Sequence, residues 1–288
     1  MYIFYIVFLS NGKLVYDRVK NTNAIMSYNC VEEKMNYYDI RDTVIQNGII
    51  DETLAQRIQS FIFSQQTIDI NTAKILFELH SIVSGKDNSP IWKNIFSTTI
   101  TQVVLEDEES PGVVDDEETI FIKKYIGHND IVDDVELELL VNILEHAHSC
   151  SDAFIAYALH CLHQAIVADG IIDDQEVALI RRFVFSKVRT RGIDLEEVLL
   201  LFGLNDACNS DENCDSWSTL FVEAISSYIL HNENSYGIID EREATFLLEQ
   251  LYSDGEINDV EKKLLEYLKI HAVSYPPSMS DLFSNVGI

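Results

Sequence analysis

The sequence predicts an all-α protein of tandem helical repeats, preceded by a short N-terminal β-hairpin. Three observations predict it. A four-residue turn recurs at Gly48–Asp51, Gly112–Asp115, Gly170–Asp173 and Gly237–Asp240, each copy a Gly, two β-branched apolar residues and an Asp. Each copy opens a stretch whose apolar residues recur three and four apart, as in Ala244, Leu247, Leu248 and Leu251, which is the helical period. Gly and Pro are scarce, 11 and 4 residues in 288, against the many tight turns of an all-β chain.

The chain opens with Met1 to Leu9, an apolar run of nine. A membrane-spanning helix needs ~20 such residues. A signal peptide would need a basic start and a small-residue cleavage site, and neither is present. Two β-prone runs flank Asn11-Gly12, the signature of a hairpin with a type I′ turn. A membrane-touching N-terminus is the alternative. Residues 1–41 are therefore assigned to a hairpin and lead-in, 42–165 to a first helical unit and 166–288 to a second.

Within the units, a second turn follows each first helix, at Ile68-Asp69, Val132-Asp133, Ile193-Asp194 and Ile257-Asn258. Second helices then run over 73–82, 135–144, 196–202 and 260–268. A third helix leads back to the next Gly turn. Its two best copies match residue for residue: Trp92, Ile95, Phe96, Ile100 and Val104 against Trp217, Leu220, Phe221, Ile225 and Ile229. Trp217 lies 125 residues after Trp92, and Gly237 lies 125 after Gly112. The simplest account is a duplicated unit of about 125 residues, with eleven or twelve short helices in all. Leu282-Phe283 reads as a last helix cut short. No such helix buries its apolar stripe alone, so neighbours must stack. The Trp-led stripe is wide enough for a buried central helix in each unit.

Charge and cysteines bound the function. With 48 acidic against 20 basic side chains the formal charge is −28, yet 47% of residues are hydrophobic. A chain this apolar folds, and one this acidic lacks the basic patch that nucleic acid needs. Its field steers a partner with a basic surface. The five cysteines (Cys30, Cys150, Cys161, Cys208, Cys214) form no CxxC pair, as expected of a reducing, cytoplasmic setting.

The Gly turns admit two chemical readings. An EF-hand loop places oxygen ligands at positions 1, 3, 5, 7, 9 and 12 around a Gly at 6. Counted from Asn232, with Asn234 at 3, the fourth turn puts Gly237 at 6, Asp240 at 9 and Glu243 at 12. The second turn does the same with Asp107, Glu109, Gly112, Asp115 and Glu118. These eight side chains, Gly apart, are the candidate Ca2+ ligands. The first turn has Thr43, Ile45 and Leu54 at 1, 3 and 12, and the third has Ala165 and Val167 at 1 and 3, so neither is such a loop. The other reading is a capping box, in which an Asp or Asn caps the helix and a Glu three residues on reaches back to the free N–H. Asp115/Glu118, Asp133/Glu136, Asp173/Glu176, Asp194/Glu197, Asp240/Glu243 and Asn258/Glu261 all fit it, and the ligand counts favour it.

Other constellations are weaker. His146, His148 and Cys150 lie near His160, Cys161 and His163, but residues two apart on a helix diverge by about 200°. No GxxxxGK[ST], HExxH or GxSxG run occurs, and no catalytic signature stands out, so the expectation is not an enzyme.

The Asp-Gly turns Asp254 to Glu261 and Asp169 to Glu176 resemble the TerB-like (tellurite-resistance-associated) helical family. The resemblance covers roughly residues 42–270. The chain departs from the pattern by carrying two tandem units and by placing Asn47, Pro111 and Tyr236 before Gly. The resemblance implies an acidic intracellular accessory protein of a stress-response or membrane-associated complex, whose acidic turns hold metal. The expectation from all of this is a non-enzymatic helical-repeat protein that binds a protein partner, with a calcium- or metal-responsive module as the alternative.

Overall fold

The computed structural model describes residues 36–65, 67–106, 110–127, 132–186, 192–208, 212–231, 236–253 and 255–288. The expected N-terminal hairpin lies outside these residues. From Asn36 onward the chain forms one compact unit. It holds thirteen helices among the described residues and one two-stranded parallel pairing, so the described part is mostly helical, consistent with an all-α architecture.

Helix α1 (Tyr37–Asn47) starts on an Asn36/Asp39 capping box and stops at Gly48, whose φ of 68° few other residues adopt. It begins inside the stretch assigned to the lead-in. Helices α2 (Glu52–Phe63), α3 (Ile70–Val83) and α4 (Pro90–Leu105) follow, then β1 (Val113–Val114), α5 (Asp116–Tyr125), α6 (Asp134–His146), β2 (Ser149–Cys150) and α7 (Asp152–Val167). The remaining helices are α8 (Asp174–Val184), α9 (Leu195–Ala207), α10 (Asp215–Leu230), α11 (Glu241–Leu251), α12 (Asp259–His271) and α13 (Pro277–Val286). All six expected Asp or Asn…Glu capping boxes form, at the starts of α5, α6, α8, α9, α11 and α12.

The two Trp-led helices are central. α4 packs on α2, α3 and α6, and α10 packs on α8, α9 and α12. Trp92, Phe96, Trp217 and Phe221 are fully buried. Around them the same contacts recur 125 residues apart. Phe77 meets Phe96 edge-on at 5.3 Å, and Phe202 meets Phe221 at 5.2 Å. Trp92 Nε1 donates to His80 Nδ1 at 3.4 Å, and Trp217 Nε1 to Asn205 Oδ1 at 3.2 Å. A related contact keeps the offset on one side only: Asn88 and Asn213, 125 residues apart, accept from the Ile50 and Ile172 amides, 122 residues apart, at 2.9 and 2.8 Å.

The Gly turns recur in the same way. The Gly112 amide donates to Leu105 O and its carbonyl accepts from the His148 amide, while Gly237 bonds Leu230 and Val273 likewise. Both glycines have φ near +75°, and a Cβ would collide with the His148 ring at Gly112 and press on Val273 at Gly237. At these two turns the apolar pair after Gly also adds a β pairing. Val113–Val114 pair in parallel with Ser149–Cys150, and Ile238 bridges Ser274. The pairing satisfies backbone groups that a buried turn would otherwise leave open.

α8 packs on both α6 and α10. Arg182 binds Glu138 at 2.8 Å and Glu145 at 2.7 Å, which turns that face of α6 toward α8. Leu137 and Val141 on the same face are buried. On α12, 125 residues on, these two positions are Lys262 and the exposed Glu266. At these two positions α12 is polar where α6 is apolar, while at the position of Glu145 it carries the exposed Ile270. We predict that Val141→Glu destabilises the protein by about 3–5 kcal/mol, because it buries an unpaired charge. Glu266→Val should change stability by less than about 0.5 kcal/mol, and urea denaturation of the two variants reads the contrast.

Candidate functional site: an acidic hollow at the start of the fifth helix

Three segments converge on a cavity of about 430 Å³. The turn into α3 brings Ile68, Asp69 and Ile70, the end of α4 brings Val103, Val104 and Glu106, and the first turns of α5 bring Glu117, Glu118 and Phe121. Helix starts and a helix end meet here because Asp69 and Asp115 each cap a helix while Leu105 receives the Gly112 amide. The floor is apolar: Val104 is buried, and Phe121 leans edge-on against Phe77 at 5.9 Å. Among the described residues the walls carry four carboxylates, Asp69, Glu106, Glu117 and Glu118, and no basic side chain.

Local bonds fix three of these carboxylates, Asp69, Glu106 and Glu118. Asp69 Oδ1 accepts from the Asn71 and Thr72 amides at 2.9 and 3.3 Å. Glu118 Oε2 accepts from the Asp115 amide at 3.1 Å, and Asp115 Oδ1 from the Glu117 amide at 2.7 Å. Glu106 accepts from the Gln102 amide group at 2.8 Å. Burial, and then a hydrogen bond shared with the Asp115 side chain, push the Glu118 carboxyl up to about 7. Near neutral pH this group is poised between acid and carboxylate, in a hollow with no lining cation to favour the charged form.

Of the eight candidate calcium ligands, Asp115 and Glu118 are brought together here as a capping box. Asp240 and Glu243 form the matching box on α11: Asp240 Oδ1 accepts from the Arg242 and Glu243 amides, and Glu243 Oε2 from the Asp240 amide. Asp107, Glu109, Asn232 and Asn234 lie outside the described residues. Sequence reasoning missed Asp69, Glu117 and Phe121 as partners of Glu118. Only the adjacency of α3, α4 and α5 brings them together.

Among the described residues, one group of three His, Cys, Asp or Glu side chains has ligand atoms within 4.8 Å of one another: His80, Asp133 and Glu136. It was not foreseen either. His80 Nε2 lies 3.1 Å from Asp133 Oδ2, which also accepts from Ser84 Oγ and the Gly85 amide. Burial opposes the Asp133 charge, but the hydrogen bond and charge of His80, with Ser84, outweigh it and hold the carboxyl well below the usual range. Glu136 accepts from the Gly127 and Asp133 amides, and burial pushes its carboxyl up, with Asp133 adding to the rise. The equivalents 125 residues on are Asn205, Asn258 and Glu261, and the Trp217 bond to Asn205 keeps the same geometry without His or Asp. The cluster works as a packing relay from Trp92 to the α6 cap. His146, His148, Cys150, His160, Cys161 and His163 form no such group.

Among the described residues no helix is long and apolar enough to cross a membrane. Comparisons with protein-family models, with curated proteins and with solved structures returned no match.

The relay makes a prediction. His80→Ala strands the buried Trp92 N–H and leaves Asp133 without its ring partner, at a cost of about 2–4 kcal/mol. Asn205→Ala strands only the Trp217 N–H and should cost about 1–2 kcal/mol. Equal losses in chemical denaturation would contradict the relay.

Proposed function

We propose that this chain is a non-enzymatic helical-repeat protein, built from two TerB-like units over 42–165 and 166–288, that binds a protein partner through basic side chains seated in the acidic hollow. We further propose a cytoplasmic, stress-response accessory role. The recurrence of the Trp, Phe–Phe and Gly-turn contacts 125 residues apart supports the two-unit reading. So does the replacement of buried Leu137 and Val141 by Lys262 and Glu266 on α12, as expected where a terminal repeat meets solvent.

The observation that carries the binding reading is the lining of the hollow: four carboxylates around an apolar floor, without a basic side chain. A Lys or Arg lays its aliphatic stem on such a floor and its charge among the carboxylates. Ile70 on its lining is exposed and extends the apolar surface toward a partner helix that carries both kinds of residue. The net charge of −28 adds long-range steering toward a basic surface. A bound cation also favours the ionised form of Glu118, so binding and proton release are linked.

The test is calorimetric titration of the full chain with an amphipathic Lys/Leu helical peptide, its Glu/Leu counterpart, and calcium chloride. The Lys/Leu peptide should bind at 0.15 M salt and bind more tightly at pH 8 than at pH 6. Glu117→Gln with Glu118→Gln should weaken it about 5–10-fold, since Gln retains the capping box while both charges go. Unchanged affinity in the double variant overturns the reading. Calcium heat that vanishes with Glu118→Gln would replace it by the metal-responsive one.

A further inference from the structure

A second cavity, of about 780 Å³, lies where α6, the end of α7 and α8 meet. Its size is that of a small-molecule site, and junctions between packed units are where such sites concentrate. The floor is apolar, formed by Leu137, Ile166 and Leu179. The polar groups on its walls are not equivalent. Lys93 is paired with Asp134 at 3.1 Å, and Arg182 with Glu138 and Glu145. Both lining cations are therefore already matched by carboxylates. Asp173 and Glu176, at the start of α8, also line the cavity, and among the described residues no ion pair reaches either. The last turn of α7, residues 164–168, forms the third wall, and a helix end of this polarity favours a positive charge.

We infer that this cavity binds a small organic cation, a primary amine carried on an apolar body, with the body on Leu137, Ile166 and Leu179 and the ammonium between Glu176 and the end of α7. Charge complementarity selects the ligand. An anion would meet Asp173 and Glu176 with both cations already committed, and a neutral apolar molecule would leave those carboxylates facing an apolar surface. The titration state of Glu176 agrees. Burial pushes its carboxyl up to about 7 against the backbone bond from Asp173, with the Asp173 and Asp169 charges adding to the rise. An arriving ammonium reverses that rise and releases a proton.

The test uses the full chain and three matched probes: 4-phenylbutylamine, 4-phenylbutan-1-ol and 4-phenylbutyrate. Isothermal titration at pH 7 in two buffers of different ionisation heat should show one site for the amine with proton release. The alcohol should bind at least 10-fold more weakly, and the acid not at all. Glu176→Gln, which keeps the capping box, should weaken the amine at least fivefold and abolish proton release. Ala178→Trp, on the cavity wall, should remove binding while circular dichroism and melting temperature confirm the fold. Equal binding of amine and alcohol overturns the inference. So does amine binding that survives both substitutions, which marks diffuse attraction to an acidic surface, and so does the absence of any binding at millimolar probe. The hollow at α5 contributes no residue to this cavity, so the two readings stand or fall separately.

Discussion

The helix-start capping box is the interaction on which the rest of this structure depends. Eight of the thirteen helices among the described residues open with a side chain that caps the first turn and an N3 side chain that reaches back to the cap amide. Short helices in a stacked array have a high ratio of ends to middles, and every end carries backbone groups in need of partners. The boxes supply those partners locally, so turns can be short and helices can pack end against side. Three of the N3 glutamates, Glu136, Glu197 and Glu261, are themselves buried. A buried carboxylate is costly unless it is hydrogen-bonded, and the back-bond to the cap amide provides this for Glu136, Glu197 and Glu261 alike. Part of the chain's acidity is therefore architectural.

The boxes also shape the two cavities. Glu118 and Glu176 hold the same N3 position on α5 and α8, and each ends up on a cavity wall. The packing that half-buries them raises their proton affinity, and the cap bond keeps them in place. A local folding device thus presents a fixed carboxyl group of unusual acidity to whatever enters. The His80–Asp133 contact shows the opposite outcome at another box, where a facing ring holds the cap carboxylate firmly ionised.

Much of this was legible in the sequence, and what was not has a physical reason. Capping boxes and amphipathic stripes are local, with spacings of three and four, so the six Asp or Asn…Glu pairs and the Trp-led helices could be read directly. The boxes at Asn36/Asp39 and Asp69/Thr72 were missed because their N3 residues are not Glu. The pairing of Val113–Val114 with Ser149–Cys150 spans a whole helical hairpin and leaves no periodic signal. The hollow collects Asp69, Glu106 and Glu118 from three elements, and the relay joins His80 on α3 to Asp133 before α6. Contacts of that kind depend on how helices stack. The exception is the offset of 125 residues. It aligned Trp92 with Trp217, and it aligns His80 with Asn205 and Val141 with Glu266 in the same frame.

The central claim is that helix packing turns ordinary cap glutamates into groups that titrate near neutrality. Carbon-detected NMR of the side-chain carboxyls across pH 3 to 9 measures this residue by residue. The account predicts that Glu118 and Glu176 titrate near 7 while Asp133 stays ionised to the acid end of the range. Glu118 and Glu176 both titrating near 4.3, the value for an unperturbed glutamate, would contradict it.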